Sequence, residues 1–384
     1  MHYIDSINYE NVSHSVKEEE MSENETTSRL REWILLGIVA VLIISGSVLV
    51  LKGRQMDVIK PGPGVTQIKM LSDYYPALKG THGDTPVYIL EGEKPGGTAF
   101  VTGGTHPPEI AGAITAVMFI ENAVIKQGRL IVVPRANNSA ASFIPSIGMF
   151  GGVPAGYTIN NKKGEERYFR LGDRASNPVD QWPDPDFYCS NAGNMCLGGP
   201  EGKNLNRSYP GNSKGTFTEK VAWGIMELIR KENAGVSYDI HEATPGSFLA
   251  GMLVGNPKKK EKGMSALELA TYAVLDLEMQ DISWKPERSS ETFRGLSHRE
   301  WGDYSQTFSF LSETENPEWF RTGPYDPLSL DTEFPLKERV GRTVRCVISI
   351  VDSYSMIFPD RAIVIEGMPE YQDFLDNGLS AYLN

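Results

Sequence analysis

The stretch VTGGTHPPEIAG, residues 101–112, decides how this chain is read. An apolar run ends in two glycines. His106 and Glu109 then stand three apart across Pro107 and Pro108, and a second apolar run begins at Ile110. A strand, a tight turn and a helix account for that order. Proline suits the first position of a helix, where its missing N–H has no intrahelical partner to lose. Such a turn holds an imidazole and a carboxylate toward one point. Taken alone, the pair is either a polar turn or half of a metal site.

The flanking sequence extends the alternation. PVYILEG (86–92) and GTAFVTGGT (97–105) read as strands, EIAGAITAVMFIENAVI (109–125) as a long helix and GRLIVVPR (128–135) as another strand. Beyond a stretch rich in Gly, Pro and Asn, roughly 137–216, come a helix in TEKVAWGIMELIRKE (218–232) and a strand in SYDIH (237–241). ALELATYAVLDLEM (266–279) then reads as a helix, QTFSFLSE (306–313) as a strand and LKERVGRTVRCVISIVDSY (336–354) as a closing helix. Strands alternating with helices predict an α/β fold with a central mixed, mostly parallel sheet flanked by helices. Ligands in such folds gather at the carboxyl ends of the strands. An irregular stretch as long as 137–203 is uncommon in a compact domain unless it serves a function.

The chain has 384 residues, 40% of them apolar, and a formal net charge of −12. That charge argues against a nucleic-acid partner, which calls for a basic face. Residues 33–51, WILLGIVAVLIISGSVLVL, carry no charge and approach the length of a membrane span. A cleaved signal peptide wants a short basic lead-in, whereas a 32-residue polar, acidic tail precedes this run. A retained transmembrane helix is expected. Basic residues nearly balance across it, and the large domain is expected outside the cytoplasm. The predicted organisation is a polar tail at 1–32, the helix at 33–51, a linker at 52–77, a large globular domain at 78–355 and an extension at 356–384. Cys189 and Cys196 can pair in an oxidising compartment, and Cys346, in an apolar run, reads as a buried thiol.

Two histidines, His106 and His241, end predicted strands and so reach the same edge of one sheet. With Glu109 they make a His₂Glu donor set, the type that holds catalytic zinc while keeping one position open for water. Glu313 closes another strand-like run, where a carboxylate can act as general base; the bland reading is a surface acid. Asn206 and Arg207, in KNLNRSYPG, offer an amide and a planar guanidinium suited to a carboxylate, or an ordinary loop network. His82 and His298 are expected in a turn and at the surface. The KKKEK run at 258–262 reads as a solvated loop.

Taken in order, GGTHPPE, NLNRSYPG, YDIH and LSETE resemble the zinc carboxypeptidase superfamily, and within it the succinylglutamate desuccinylase/aspartoacylase family. The similarity runs from about Pro86 to Tyr354. It implies an α/β hydrolase with one zinc per chain, cutting an amide next to a free carboxylate. By this resemblance His106, Glu109 and His241 are the zinc ligands, Glu313 the general base, and Asn206 and Arg207 the holders of the substrate carboxylate. It also implies an arginine that polarises the scissile carbonyl. Arg174 is the foremost candidate, with Arg170 and Arg135 as others. The segment before Asn206 is long for the family, and too few residues follow the closing helix for the C-terminal β domain of the aspartoacylase branch. The expected function is membrane-anchored deacylation of N-acyl amino acids. The alternatives are a carboxypeptidase acting on peptides and a non-catalytic metal- or ligand-binding membrane protein.

Overall fold

A computed structural model describes residues 28–48, 56–143, 156–190, 195–317 and 333–384. The polar tail up to residue 27, the end of the apolar run at 49–51 and the start of the predicted linker at 52–55 lie outside the described residues. The chain divides into two units, Met1–Gln55 and Met56–Asn384. The first contributes one apolar helix, α1 (Ser28–Val48), long and apolar enough to cross a membrane. A signal sequence meets the same criterion.

The second unit is built on a mixed nine-stranded sheet. In chain order its strands are β1 (Gln67–Met70), β2 (Pro86–Glu91), β3 (Lys94–Thr102), β4 (Val124–Val133), β9 (Val236–Ala243), β10 (Met252–Gly255), β11 (Lys285–Arg288), β12 (Phe308–Glu315) and β13 (Val364–Glu366). Two separate hairpins interrupt the series, β5 (Gly156–Asn160) with β6 (Glu166–Arg170), and β7 (Phe187–Ser190) with β8 (Met195–Gly198). The sheet order is β1-β2-β4-β3-β9-β12-β10-β11, and β13 pairs with β4. The centre, β4-β3-β9-β12, is parallel. Antiparallel neighbours β2 and β10 flank it. The remaining helices are α2 (Ile110–Asn122), α3 (Asn138–Ala141), α4 (Gly199–Gly202), α5 (Phe217–Lys231), α6 (Ala266–Glu278), α7 (Ser297–Tyr304), α8 (Leu336–Ile357) and α9 (Tyr371–Asn377).

Strand periodicity sorts the core into two layers, because successive side chains point to opposite faces. Tyr88, Leu90, Ala99, Val101, Leu130 and Val132 join one buried cluster with α2, α6 and α8. Val87, Ile89, Phe100, Ile131 and Val133 join the other with α5 and Trp301 of α7. The result is helix–sheet–helix layering.

Three expectations need correction. The helix predicted over 109–125 ends at Asn122, and Val124 already belongs to β4; Asn122 and Ala123 are too weak a stop signal to reveal that boundary. The predicted linker contains β1, which pairs with β2, so the compact unit begins before residue 78. The predicted extension at 356–384 also belongs to this unit: β13 pairs with β4, and Phe374 of α9 is buried.

Candidate metal centre and active site

The two glycines of the opening stretch set the turn. Gly104 has φ +64°, a left-handed conformation, and a Cβ there would meet the Pro134 carbonyl oxygen at 2.9 Å. A Cβ on Gly103 would lie 2.1 Å from the Gly112 carbonyl oxygen. Helix α2 therefore starts directly against the end of β3. Glu109 is the residue capping α2 rather than a member of its first turn.

Register supplies the rest of the edge. On β9, Val236, Tyr238 and Ile240 face the α2/α8 layer, so Asp239 and His241 face the opposite side. Glu313 on β12 is the register partner of His241. Neighbouring strands lie about 4.8 Å apart, so the two side chains emerge side by side.

His106, Glu109 and His241 converge. Their donor atoms lie within 4.8 Å of one another, and all three residues are buried. Nδ1 of His106 is 2.7 Å from Glu109 Oε1, and Nδ1 of His241 is 2.7 Å from Glu109 Oε2. The other ring nitrogens are held from behind. Nε2 of His106 is 2.8 Å from Asn204 Oδ1. Nε2 of His241 approaches Asp239 Oδ2 to 2.9 Å, off the hydrogen-bond direction, and Asp239 Oδ1 accepts from Thr105. Histidines anchored through one nitrogen and presenting the other are arranged as metal ligands are.

The electrostatics favour a cation. Burial alone would raise the Glu109 carboxyl, but the imidazoles of His106 and His241 hold it far below the ordinary carboxylate range. Burial alone would lower His241, but Asp239 and Glu109 lift it well above the usual imidazole value. His106 is pushed down by burial. A buried pair of carboxylates that holds a proton on His241 is a site a metal ion would fill by displacing that proton. The donor set therefore fits a divalent metal. Asp239→Asn is expected to weaken metal affinity about 10–100-fold, the usual cost of losing such a supporting group. Competition with a chromogenic chelator measures it, and an unchanged affinity would remove Asp239 from this role.

All seven sequence-predicted site residues line one cavity of about 450 Å³: His106, Glu109, Arg174, Asn206, Arg207, His241 and Glu313. Glu313 is half-buried there, and burial raises its carboxyl above the ordinary range. Arg174 Nη1 is 3.9 Å from Glu109 Oε1. The other arginine candidates sit elsewhere: Arg135 is paired with Asp57, and Arg170 donates to the Ser142 carbonyl. Asn206 lines the cavity, while its side-chain oxygen accepts from the Ser297 backbone and ties the loop to α7.

Several residues were not visible from the sequence. Glu201 bridges Arg174 and Arg207 at 2.9 and 3.1 Å. Asn204 and Asp239 support the two histidines; Asp239 could have been found from its i, i+2 spacing to His241 on one strand face. Expected at the surface, His298 is instead 2% exposed, lines the cavity and donates to or accepts from Ser289. Burial and the neighbouring His241 push it down to about 3, so it is neutral. His82 is exposed and pairs with Asp180. Within KKKEK, Lys260 is not a solvated side chain: it reaches the Gly302 and Ser305 carbonyls. Cys189 and Cys196 form a disulfide across β7 and β8, and Cys346 is free and buried.

No known family model matches the chain, and no curated protein matches it. Solved structures do. One is the ectoine utilisation protein EutE (DoeB) from Ruegeria pomeroyi, at 16% identity and TM-score 0.40, covering 70% of this chain and 60% of that one. Another is a succinylglutamate desuccinylase/aspartoacylase from Rhodobacter sphaeroides, at 18% and 0.39, covering 70% and 58%. A third is a metallo-carboxypeptidase from Burkholderia cenocepacia, at 10% and 0.43, covering 80% and 68%. The chain spans about three fifths of the length of the first two. The solved structures to which it is similar thus include desuccinylase/aspartoacylase and metallo-carboxypeptidase proteins.

Proposed function

We propose that the chain is a membrane-anchored zinc hydrolase that cuts an amide near a free carboxylate, as in deacylation of N-acyl amino acids. The observation that carries this reading is the convergence of a buried His–Glu–His set with Glu313 and two guanidiniums in one cavity. His106, Glu109 and His241 would hold the metal. Zinc, when bound there, would acidify a coordinated water and polarise the scissile carbonyl.

The remaining chemistry belongs to the chain. Arg207 binds the substrate carboxylate, with Asn206 fixing the loop that carries it. Arg174 reaches toward the carbonyl oxygen as negative charge develops there. Glu313 takes a proton from the attacking water and delivers it to the amide nitrogen. The new C–O bond forms first, and the C–N bond breaks once the nitrogen is protonated, leaving an acid and an amine. The raised Glu313 carboxyl suits this shuttle, because a base near the working pH both accepts and releases a proton readily.

Helix α1 is read as a retained anchor with the hydrolase unit outside the cytoplasm. The Cys189–Cys196 disulfide supports that side, since disulfides persist in oxidising compartments.

The test is a paired assay of the full chain in detergent on N-acyl amino acids and on short peptides, with and without a chelator. Hydrolysis of N-acyl amino acids is expected, abolished by the chelator and restored by zinc. Cleavage of peptides alone would move the assignment to a carboxypeptidase. Hydrolysis of neither would contradict it.

A further inference from the structure

The residue that bridges Arg174 and Arg207, two of the three arginines lining the cavity, has no part in the mechanism above. Glu201 lies in α4, directly after the β7–β8 hairpin. Its Oε1 is 2.9 Å from Arg174 Nε and its Oε2 is 3.1 Å from Arg207 Nε. Asn204, which supports His106, also donates weakly to the same carboxylate.

The position is built, not incidental. The disulfide joins the register partners Cys189 and Cys196 just before α4. Lys203, at the C-terminal end of α4, pairs with Asp184 at 2.8 Å. A Cβ on Gly202 would meet the Tyr188 ring at 2.3 Å, so α4 packs against β7 through a glycine. The hairpin therefore delivers one carboxylate to one place, between two guanidiniums that line the cavity.

The charge count follows. Arg174 and Arg207 bring two positive charges to this corner, and Glu201 neutralises one. We propose that Glu201 is a specificity-determining residue: it lowers by one the positive charge that Arg174 and Arg207 offer beside Glu109, and so disfavours substrates that bring a second carboxylate. This rests on the reading of Arg207 as the holder of the substrate carboxylate. Glu201 contacts the Nε atoms of both arginines.

Calorimetric binding to the full chain in detergent, with Glu313→Gln in every protein compared so that hydrolysis is suppressed, tests this independently of turnover. The ligands are N-acetylglycine, with one carboxylate, and N-succinylglycine, with a second in the acyl arm. Glu201→Gln keeps the shape and removes the charge. It is expected to raise the preference for N-succinylglycine about tenfold over the protein that keeps Glu201, the size of one added unit charge at this partly solvated corner. Glu201→Ala is expected to shift the same ratio in the same direction. A ratio is compared within each protein, so partial loss of folded material does not move it. An unchanged ratio in both variants, with binding retained, overturns the role of Glu201 and leaves the carboxylate corner standing. Failure of all these proteins to bind either ligand overturns the corner itself, and this inference with it.

Discussion

Glu313→Gln is expected to lower turnover about 10²- to 10⁴-fold while the protein still binds one metal per chain. The argument is geometric. Glu313 and His241 are register partners on adjacent parallel strands, so the carboxylate stands beside the metal set without belonging to it. Glutamine keeps the volume and one acceptor oxygen but takes up no proton from water. Metal content and turnover should therefore separate: zinc bound, rate lost. A fully active Glu313→Gln protein would remove Glu313 from the base role. A protein that lost both metal and rate would make Glu313 part of the metal set instead.

The second large effect lies on the opposite face of the same strand. His241 points to the cavity, so Glu242 points to the α2/α8 layer. There its carboxylate pairs with Arg339 of α8, and both side chains are almost fully buried. It also accepts from the Ala111 backbone at the start of α2 and from Asn316. One buried acid thus ties α8, the α2 N-terminus and the end of β12 to the strand that carries His241. Arg339→Met is expected to destabilise the fold by about 3–5 kcal/mol, the range for stripping one partner from a buried ion pair. Denaturant unfolding of the full chain measures it. The Glu242→Gln, Arg339→Met double variant should recover part of the loss, because glutamine can still accept from Ala111 without a charge to bury. A single variant within 1 kcal/mol of wild type, on the order of an ordinary surface change, would contradict the pairing's importance.

The sequence carried the central sheet well and its margins poorly. Strands β2, β9 and β12 and the carboxyl halves of β3 and β4 are the apolar runs that stand out, and the glycines and prolines around His106 mark the turn. The edge strand β1 is four residues long with an exposed start, too short for alternation to stand out beside KPGPG. The α2–β4 boundary was lost because Asn122 and Ala123 give no strong stop signal.

The site divides in the same way. His106 follows the end of β3, and His241 and Glu313 lie near the carboxyl ends of β9 and β12, so topology sends them to one edge. The positions of Asn204, Glu201 and Arg174 at the cavity depend on the path of the chain between β6 and α5, outside the central sheet. No spacing encodes that path. His298 was misplaced because its polar neighbours suggest a surface, whereas α7 packs its flank against β12 and buries the imidazole.

Metal content, measured by elemental analysis after zinc-replete purification of the full chain, tests the central claim most directly. One zinc per wild-type chain is predicted, with none retained by the His106→Ala, His241→Ala double variant. A wild-type chain without stoichiometric metal, or a double variant that keeps it, would contradict the account.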